Sequence, residues 1–322
     1  MTNITENTRD SYYQHTLRDK IVCVGRGLHC GLKLIMTIMP AEANTGYVFV
    51  RRDVDSDKSE VHARWYNVTD TRMSTTIANN RGTRVSTIEH LIAALHTCGI
   101  DNAHIVLDAP EVPIMDGSSA PYVSLIEKIG RIKQSEERRA IVITKPVRIK
   151  ARGKSAELIP SNTLSIDMNI NFDNPVIGKQ SMSLAIDEQT FSKDIAPART
   201  FGFDEQIETL KKIGLAQGGS LNNAVLVKGN NIINEEGLRF ENEFVRHKIL
   251  DCIGDLALAG AHVIGEFIGN CSGHQLNNAL LRELMMNHDS WQYTTLKNAR
   301  ENWSRIILGQ PGYELNANLE YV

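Results

Sequence analysis

The residues with the most chemical potential stand in one run, Phe244-Val245-Arg246-His247-Lys248-Ile249-Leu250-Asp251-Cys252-Ile253-Gly254-Asp255. On an α-helix His247, Asp251 and Asp255 fall at i, i+4 and i+8, stacked on one face. An imidazole and a carboxylate one turn apart can share a metal ion. They can equally form a solvated His–Asp pair, and the segment alone leaves both readings open. Glu89-His90 adds what a metal hydrolase needs. Neighbouring helical residues point about 100° apart, so His90 can ligate a metal while Glu89 beside it handles water. A zinc hydrolase requires three protein ligands, an open position and a nearby base. The chain offers His90, His247 and Asp251 as ligands and Glu89 as base, although a Glu-His dipeptide by itself is common.

Two further segments complete the set. Ser272-Gly273-His274 sits between a strand-like and a helix-like stretch. A histidine at such a turn is expected to be exposed enough to act as a general acid, with Asp255 holding it charged; the alternative is a capping or surface histidine. Pro197-Ala198-Arg199-Thr200-Phe201-Gly202-Phe203 brings a hydroxyl and two aromatics into one loop. Thr200 could donate to an oxyanion and Phe201 could stack on a ring, or the segment could be a packed turn.

These residues must be positioned by elements readable from periodicity. Short strand patterns at 21–24, 32–39 and 47–51 are punctuated by Gly, Pro and Asn. Residues 84–95 carry apolar side chains at three- and four-residue spacing, with Ser86 or Thr87 as N-cap, and predict a helix. A strand at 104–107 and a helix at 120–129 follow. The charged, aperiodic stretch 130–139 is the expected linker. Strands then restart at 141–144, 147–150, 156–159 and 164–172, with a helix at 243–259, a strand at 263–267 and a helix at 273–287. Both halves therefore run strands, helix, strand, helix, a weak repeat without residue identity. That order favours an α+β architecture with helices on one face of each sheet. Packed helix layer to helix layer, the halves would place a site at their interface. The second half has an extra unit, an amphipathic helix at 203–213 and a strand at 224–227, that could cover something.

The chain's 322 residues suit two domains, and 42% hydrophobic with 23% charged residues is the balance of a globular protein with a real core. A net charge of −3 gives no footprint for nucleic acid. No apolar stretch approaches the ~20 residues that span a bilayer, and the polar N-terminus is neither signal nor anchor. The cysteines Cys23, Cys30, Cys98, Cys252 and Cys271 form no C-x-x-C and read as reduced thiols in a cytoplasmic protein.

Assembled, these residues resemble one family, the bacterial UDP-3-O-acyl-N-acetylglucosamine deacetylases of lipid A biosynthesis. The resemblance runs through Gly27-Leu28-His29, 86–95 with Glu89-His90, Gly99-Ile100-Asp101-Asn102-Ala103, Ile114-Met115-Asp116-Gly117-Ser118-Ser119, 198–203, 247–255 and 272–278. It implies that His90, His247 and Asp251 bind zinc, or iron(II), and that Glu89 is the general base on the attacking water. His274, supported by Asp255, would protonate the leaving amine, and Thr200 would help steady the oxyanion. Lys248 and Phe201 would contact the UDP-linked acylated glucosamine, with Lys154 serving the diphosphate. The implied fold is two similar two-layer α/β sandwich domains, 1–132 and 140–322, packed helix face to helix face. The insert 203–227 would form the acyl-chain passage, and a monomer is expected. The chain departs from the family pattern in three places. Cys271 stands where many relatives have lysine, Ser74 where they often have cysteine, and the tail before Tyr13 is longer and expected to be disordered. The competing readings are a zinc amidohydrolase acting on another acetylated sugar and a non-catalytic binding protein of the same fold.

Overall fold

The structure, a computed structural model, describes residues 11–309, so all but the last two residues of the tail before Tyr13 lie outside the described residues. The first half contributes strands Ile21–Arg26 (β1), Lys33–Pro40 (β2), Tyr47–Arg51 (β3) and Glu60–His62 (β4), then helix Glu89–Thr97 (α1), strand Ala103–Leu107 (β5) and helix Ala120–Ile129 (α2). Its sheet has the order β1-β2-β5-β3-β4, with β3 and β5 parallel and the other pairs antiparallel. The second half contributes Val147–Ala151 (β6), Lys154–Ile159 (β7), Leu164–Asn171 (β8), Lys179–Ala185 (β9), helix Asp204–Lys212 (α3), helix Glu243–Ala257 (α4), strand His262–Asn270 (β10) and helix His274–Met286 (α5). These strands lie in the order β6-β7-β10-β8-β9, with β8 and β10 parallel. Leaving out the α3 region and a three-stranded sheet of Val68–Asp70, Thr76–Ala78 and Arg84–Val85 in the first half, the two halves share element order and the sense of each of these strand pairings. The repeat suggested by the sequence pattern is thus a repeat of topology, within an α+β fold.

Three local expectations need correction. The stretch 130–139 is not an irregular linker: Arg131–Glu137 is a strand paired antiparallel with Tyr13–Leu17. Its charges sit on a two-stranded ribbon with open faces, which hides the pattern from a search for apolar alternation. Arg139–Ile143 follows at once and joins the second sheet, parallel to β10 and antiparallel to Trp291–Thr295. Helix α1 begins at Glu89, and neither Ser86 nor Thr87 caps it. Thr87 instead adopts φ 56° and donates its hydroxyl to buried Glu111 at 2.8 Å.

The core follows the two periodicities. Along β2, Leu34, Met36 and Ile38 are buried, while Ile35 and Met39 face outward. On α1 every residue from Glu89 to Leu95 is buried, which fits a helix with a layer on each side. One continuous apolar cluster takes Phe49, Leu91 and Ile105 from the first half and Phe244, Ile249 and Phe267 from the second. At the far edge of this junction Asp101 accepts from the His15 backbone N–H at 2.8 Å and from Arg138 Nε at 2.9 Å. It also lies 3.3 Å from His262 Nε2, tying β10 to the first half.

Helices α1 and α4 approach most closely at Gly254. A Cβ built there would lie 2.2 Å from the Glu89 carbonyl oxygen and 2.8 Å from its carbon. The crossing is therefore backbone against backbone, and only glycine fits. Gly254→Ala is expected to force the helices apart and lower the unfolding free energy by about 1–3 kcal/mol, the usual cost of overpacking. A denaturant melt that matches the wild type would remove this contact from the account.

Candidate active site

The close crossing sets the site. Glu89 and His90 open α1, where the helix N-terminus favours a carboxylate. His247, Asp251 and Asp255 project from one face of α4, and His274 is the first residue of α5. All six are buried, so the structure brings together every metal, base and acid candidate named from the sequence. One detail differs: His274 is not an exposed turn histidine but is 8% exposed. It is reached through a cleft of about 680 Å³ whose lining includes Glu89, His90, Thr200, Phe201, Lys248 and His274.

Asp251 Oδ1 lies 3.5 Å from His90 Nε2 and 3.4 Å from His247 Nε2, with the two rings edge to face at 4.9 Å. The ligand atoms of the three residues fall within 4.8 Å of one another. His247 Nδ1 is 3.1 Å from the Ala198 carbonyl oxygen. A carbonyl only accepts, so Nδ1 carries the proton and Nε2 presents a lone pair to the centre. Burial holds the His247 pKa down to about 3 in spite of Asp251, so the ring is neutral, the form that ligates metal. Asp251 Oδ1 is buried without a hydrogen-bond partner among the described residues, and so is His90 Nδ1. A carboxylate oxygen facing imidazole nitrogens with no donor is costly unless a cation sits between them. Two imidazoles and a carboxylate are a donor set that zinc takes, and these residues fit such an ion. Lys248 Nζ holds the other Asp251 oxygen at 2.7 Å. With His247 neutral, the cations left to hold the Asp251 carboxyl down against its burial are Lys248 and His274.

The proton-handling groups lie beside this centre. Burial raises the Glu89 pKa, opposed by His274 and His90. Its Oε2 accepts the Thr75 backbone N–H at 3.0 Å, while Oε1 lies 3.8 Å from His274 Nε2. His274 Nδ1 donates to Asp255 Oδ2 at 2.9 Å. Burial alone would lower the His274 pKa, but Asp255, Asp251 and Glu89 more than offset it and raise the value to about 9. His274 therefore carries its charge with Nε2–H directed between Glu89 and Asp251. Glu89, Asp251 and His274 also cluster as a second possible ligand set. A charged imidazole has no lone pair to give, so the geometry suits His274 as an acid.

Substrate-contact candidates fall around the same cleft. Lys248 Nζ lies 5.6 Å from the Phe201 ring centroid. Phe201 packs edge-on against Phe172 at 5.6 Å and Phe244 at 4.9 Å. Thr200, Lys154 and Cys271 also line the cleft, and Cys271 adopts φ 51°. Two contributors were not foreseen. Thr75 Oγ1 donates to Asp255 Oδ1 at 2.6 Å and sits 3.2 Å from His274 Nδ1, so Thr75 touches base, acid and the acid's partner. Asn277 Nδ2 donates to Asp255 Oδ2 at 2.9 Å. Asn277 stands one turn after His274, a spacing visible in the sequence. Thr75 lies in a Ser-Thr-Thr run that signals nothing until the fold closes.

A model of the family described as UDP-3-O-acyl N-acetylglycosamine deacetylase matches residues 14–286. A protein of Geotalea uraniireducens named UDP-3-O-acyl-N-acetylglucosamine deacetylase is 48% identical over 284 residues, covering 88% of this chain and 92% of its own. A Geobacter protein of the same name is 49% identical over 280 residues, 87% of this chain and 91% of its own. One from Legionella pneumophila is 45% identical over 283 residues, 87% and 92%.

Metal analysis of the purified chain is expected to find one ion per molecule at the His90–His247–Asp251 centre. His247→Ala should lose most of that metal and stay folded, since the apolar cluster spanning both halves does not depend on the ion. Full metal stoichiometry in that variant would exclude His247 as a ligand.

Proposed function

The chain belongs to the UDP-3-O-acyl-N-acetylglucosamine deacetylase family, and from that premise we propose that it hydrolyses the N-acetyl group of UDP-3-O-acyl-N-acetylglucosamine. The products are UDP-3-O-acyl-glucosamine and acetate, a step of lipid A biosynthesis. The observation that carries the reading is the pairing of an unpartnered Asp251 Oδ1 between two imidazole nitrogens with a buried Glu89 and a charged His274 within 3.8 Å of each other.

His90, His247 and Asp251 would hold the metal, zinc in the first instance and iron(II) as the alternative. When bound, such an ion supplies Lewis acidity and makes water more acidic. Glu89, its pKa lifted by burial, takes a proton from the attacking water. Thr75 N–H holds one Glu89 oxygen and leaves the other facing the cleft. His274 Nε2 delivers a proton to the leaving amine, and Asp255 fixes the ring through Nδ1. Thr200 offers a hydroxyl donor to the developing oxyanion. Base and acid have environments that push their properties apart, as the two roles require.

Lys248, Phe201 and Lys154 are proposed to contact the substrate, with Lys154 on the diphosphate in place of the cation that Cys271 does not provide. The cluster of Phe172, Phe201 and Phe203, with ring centroids 5.6 to 6.5 Å apart, supports an apolar passage for the acyl chain beside the insert 203–227. The domain division 1–132 and 140–322 is part of the same reading, supported by the topological repeat, as is action as a monomer. None of the helices among the described residues is long and apolar enough to cross a membrane.

Acetate release from UDP-3-O-acyl-N-acetylglucosamine tests the proposal directly. Turnover of simple acetylated sugars with none of the nucleotide substrate would favour the alternative amidohydrolase, and no turnover of either would favour a binding protein. Glu89→Gln should retain its metal and lose roughly 10²–10⁴-fold in kcat, the range for a general base; an unchanged kcat would take the base role from Glu89. Thr75→Val, which keeps shape but removes the hydroxyl, should lower kcat by about 10-fold, equivalent to ~1.4 kcal/mol. Wild-type rates in that variant would reduce Thr75 to packing.

A further inference from the structure

Glu243 and Arg199 form a fully buried ion pair outside the set of groups described above, with side chains 0% and 3% exposed. Glu243 occupies the first turn of α4, and all of its acceptor capacity is used. Its Oε1 takes Arg199 Nε and the Arg199 backbone N–H, both at 2.9 Å. Its Oε2 takes the Arg239 backbone N–H at 2.7 Å and Arg199 Nη2 at 3.2 Å. Arg199 also donates to the Gly237 carbonyl at 2.7 Å and to Glu236.

A buried ion pair is weak grounds for stability, because desolvating two charges offsets most of their attraction. What this one fixes is a direction. The N–H bound by Glu243 belongs to the Ala198–Arg199 peptide, and the carbonyl of that same peptide accepts from His247 Nδ1. Glu243 and His247 stand one turn apart on one face of α4. They grip opposite ends of a single planar unit, which cannot rotate without breaking both bonds. A carboxylate on the N–H also polarises the peptide and strengthens its carbonyl as an acceptor.

Resting on the metal-site reading above, we propose that Glu243, pinned by Arg199, is a positioning residue for the metal site. It aims the Ala198 carbonyl at His247 and so fixes that ring's Nδ1–H tautomer and orientation. Outer groups of this kind are typically worth 10–100-fold in metal affinity.

The test uses the full chain, with zinc affinity measured by chelator competition well below the melting temperature and ring ¹⁵N shifts measured on the metal-free protein. Wild-type His247 should show Nδ1 protonated and Nε2 bare. Glu243→Gln, which retains volume but puts an amide among donors, should weaken zinc binding by about 10–100-fold and mix the tautomers. Glu243→Asp, charged but too short to reach the peptide, should do the same. A folded Glu243→Gln chain with wild-type zinc affinity and an unmixed Nδ1–H tautomer would reduce the pair to a structural tie and overturn the proposal. If neither variant folds, the wild-type ring decides: a dominant Nε2–H tautomer overturns it. A wild-type chain that binds no zinc refutes the metal reading instead, and the tautomer measurement still judges Glu243.

Discussion

The contact on which the site depends is the crossing of α1 and α4 at Gly254. There the Glu89 backbone lies so close that any Cβ would overlap it. His90 comes from one helix, and His247 and Asp251 come from the other, so the separation of these ligands is set by the distance between helix axes. A crossing held apart by side chains would leave the ligand atoms too far from a common centre. Glycine at 254 thus does for the metal site what no ligand can do for itself. It brings two rigid elements within reach and leaves the apolar residues around them to hold the position.

That closeness concentrates charge among buried side chains, and the site is organised by how the charge is balanced. Glu89, Asp251 and Asp255 are three buried carboxylates, faced by Lys248 and a charged His274. Each carboxylate oxygen with a donor is accounted for by Thr75, Lys248, Asn277 or His274. Asp251 Oδ1 has none, and it is the atom that faces both imidazole nitrogens. The one fully buried carboxylate oxygen without a donor among the described residues therefore lies at the point where a cation would sit between the two imidazoles.

Much of this was legible in the sequence, for a physical reason. His247, Asp251 and Asp255 are related by helical spacing, so their shared face follows from local geometry, as does the amphipathic pattern that locates α1 and α4. The alternation in β2 follows from the pleat in the same way. What was hidden depends on contacts between distant segments. Thr87 is a plausible cap by type, but Glu111 draws its hydroxyl away and the helix starts later. The ribbon at Arg131–Glu137 looks like a linker because its partner, Tyr13–Leu17, is more than a hundred residues earlier. His274 reads as an exposed turn because the sequence, which offers Asp255 as its partner, does not reveal that Thr75 and Glu89 close over it. Arg199 stands in the loop that carries Thr200 and Phe201, yet its partner Glu243 carries no local signal.

The topological repeat explains why the site lies where it does and why it is asymmetric. In each half four strands of the matching sheets precede a helix, a central strand and a second helix, so α1 corresponds to α4 and α2 to α5. The two equivalent helices meet each other, and a pair of like elements in contact offers matching faces for chemistry. The faces have not been used alike: α1 supplies Glu89 and His90 from its first turn, whereas α4 supplies His247, Asp251 and Asp255 from its middle. The α3 region, present only in the second half, adds the loop that carries Ala198, Thr200 and Phe201 to one side of the centre. Hydrolysis of an amide needs base and acid on different sides of one reacting carbon, and a strictly twofold arrangement of equal groups would supply two of one kind. The fold provides the close approach by repetition, and the departures from repetition separate Glu89 from His274.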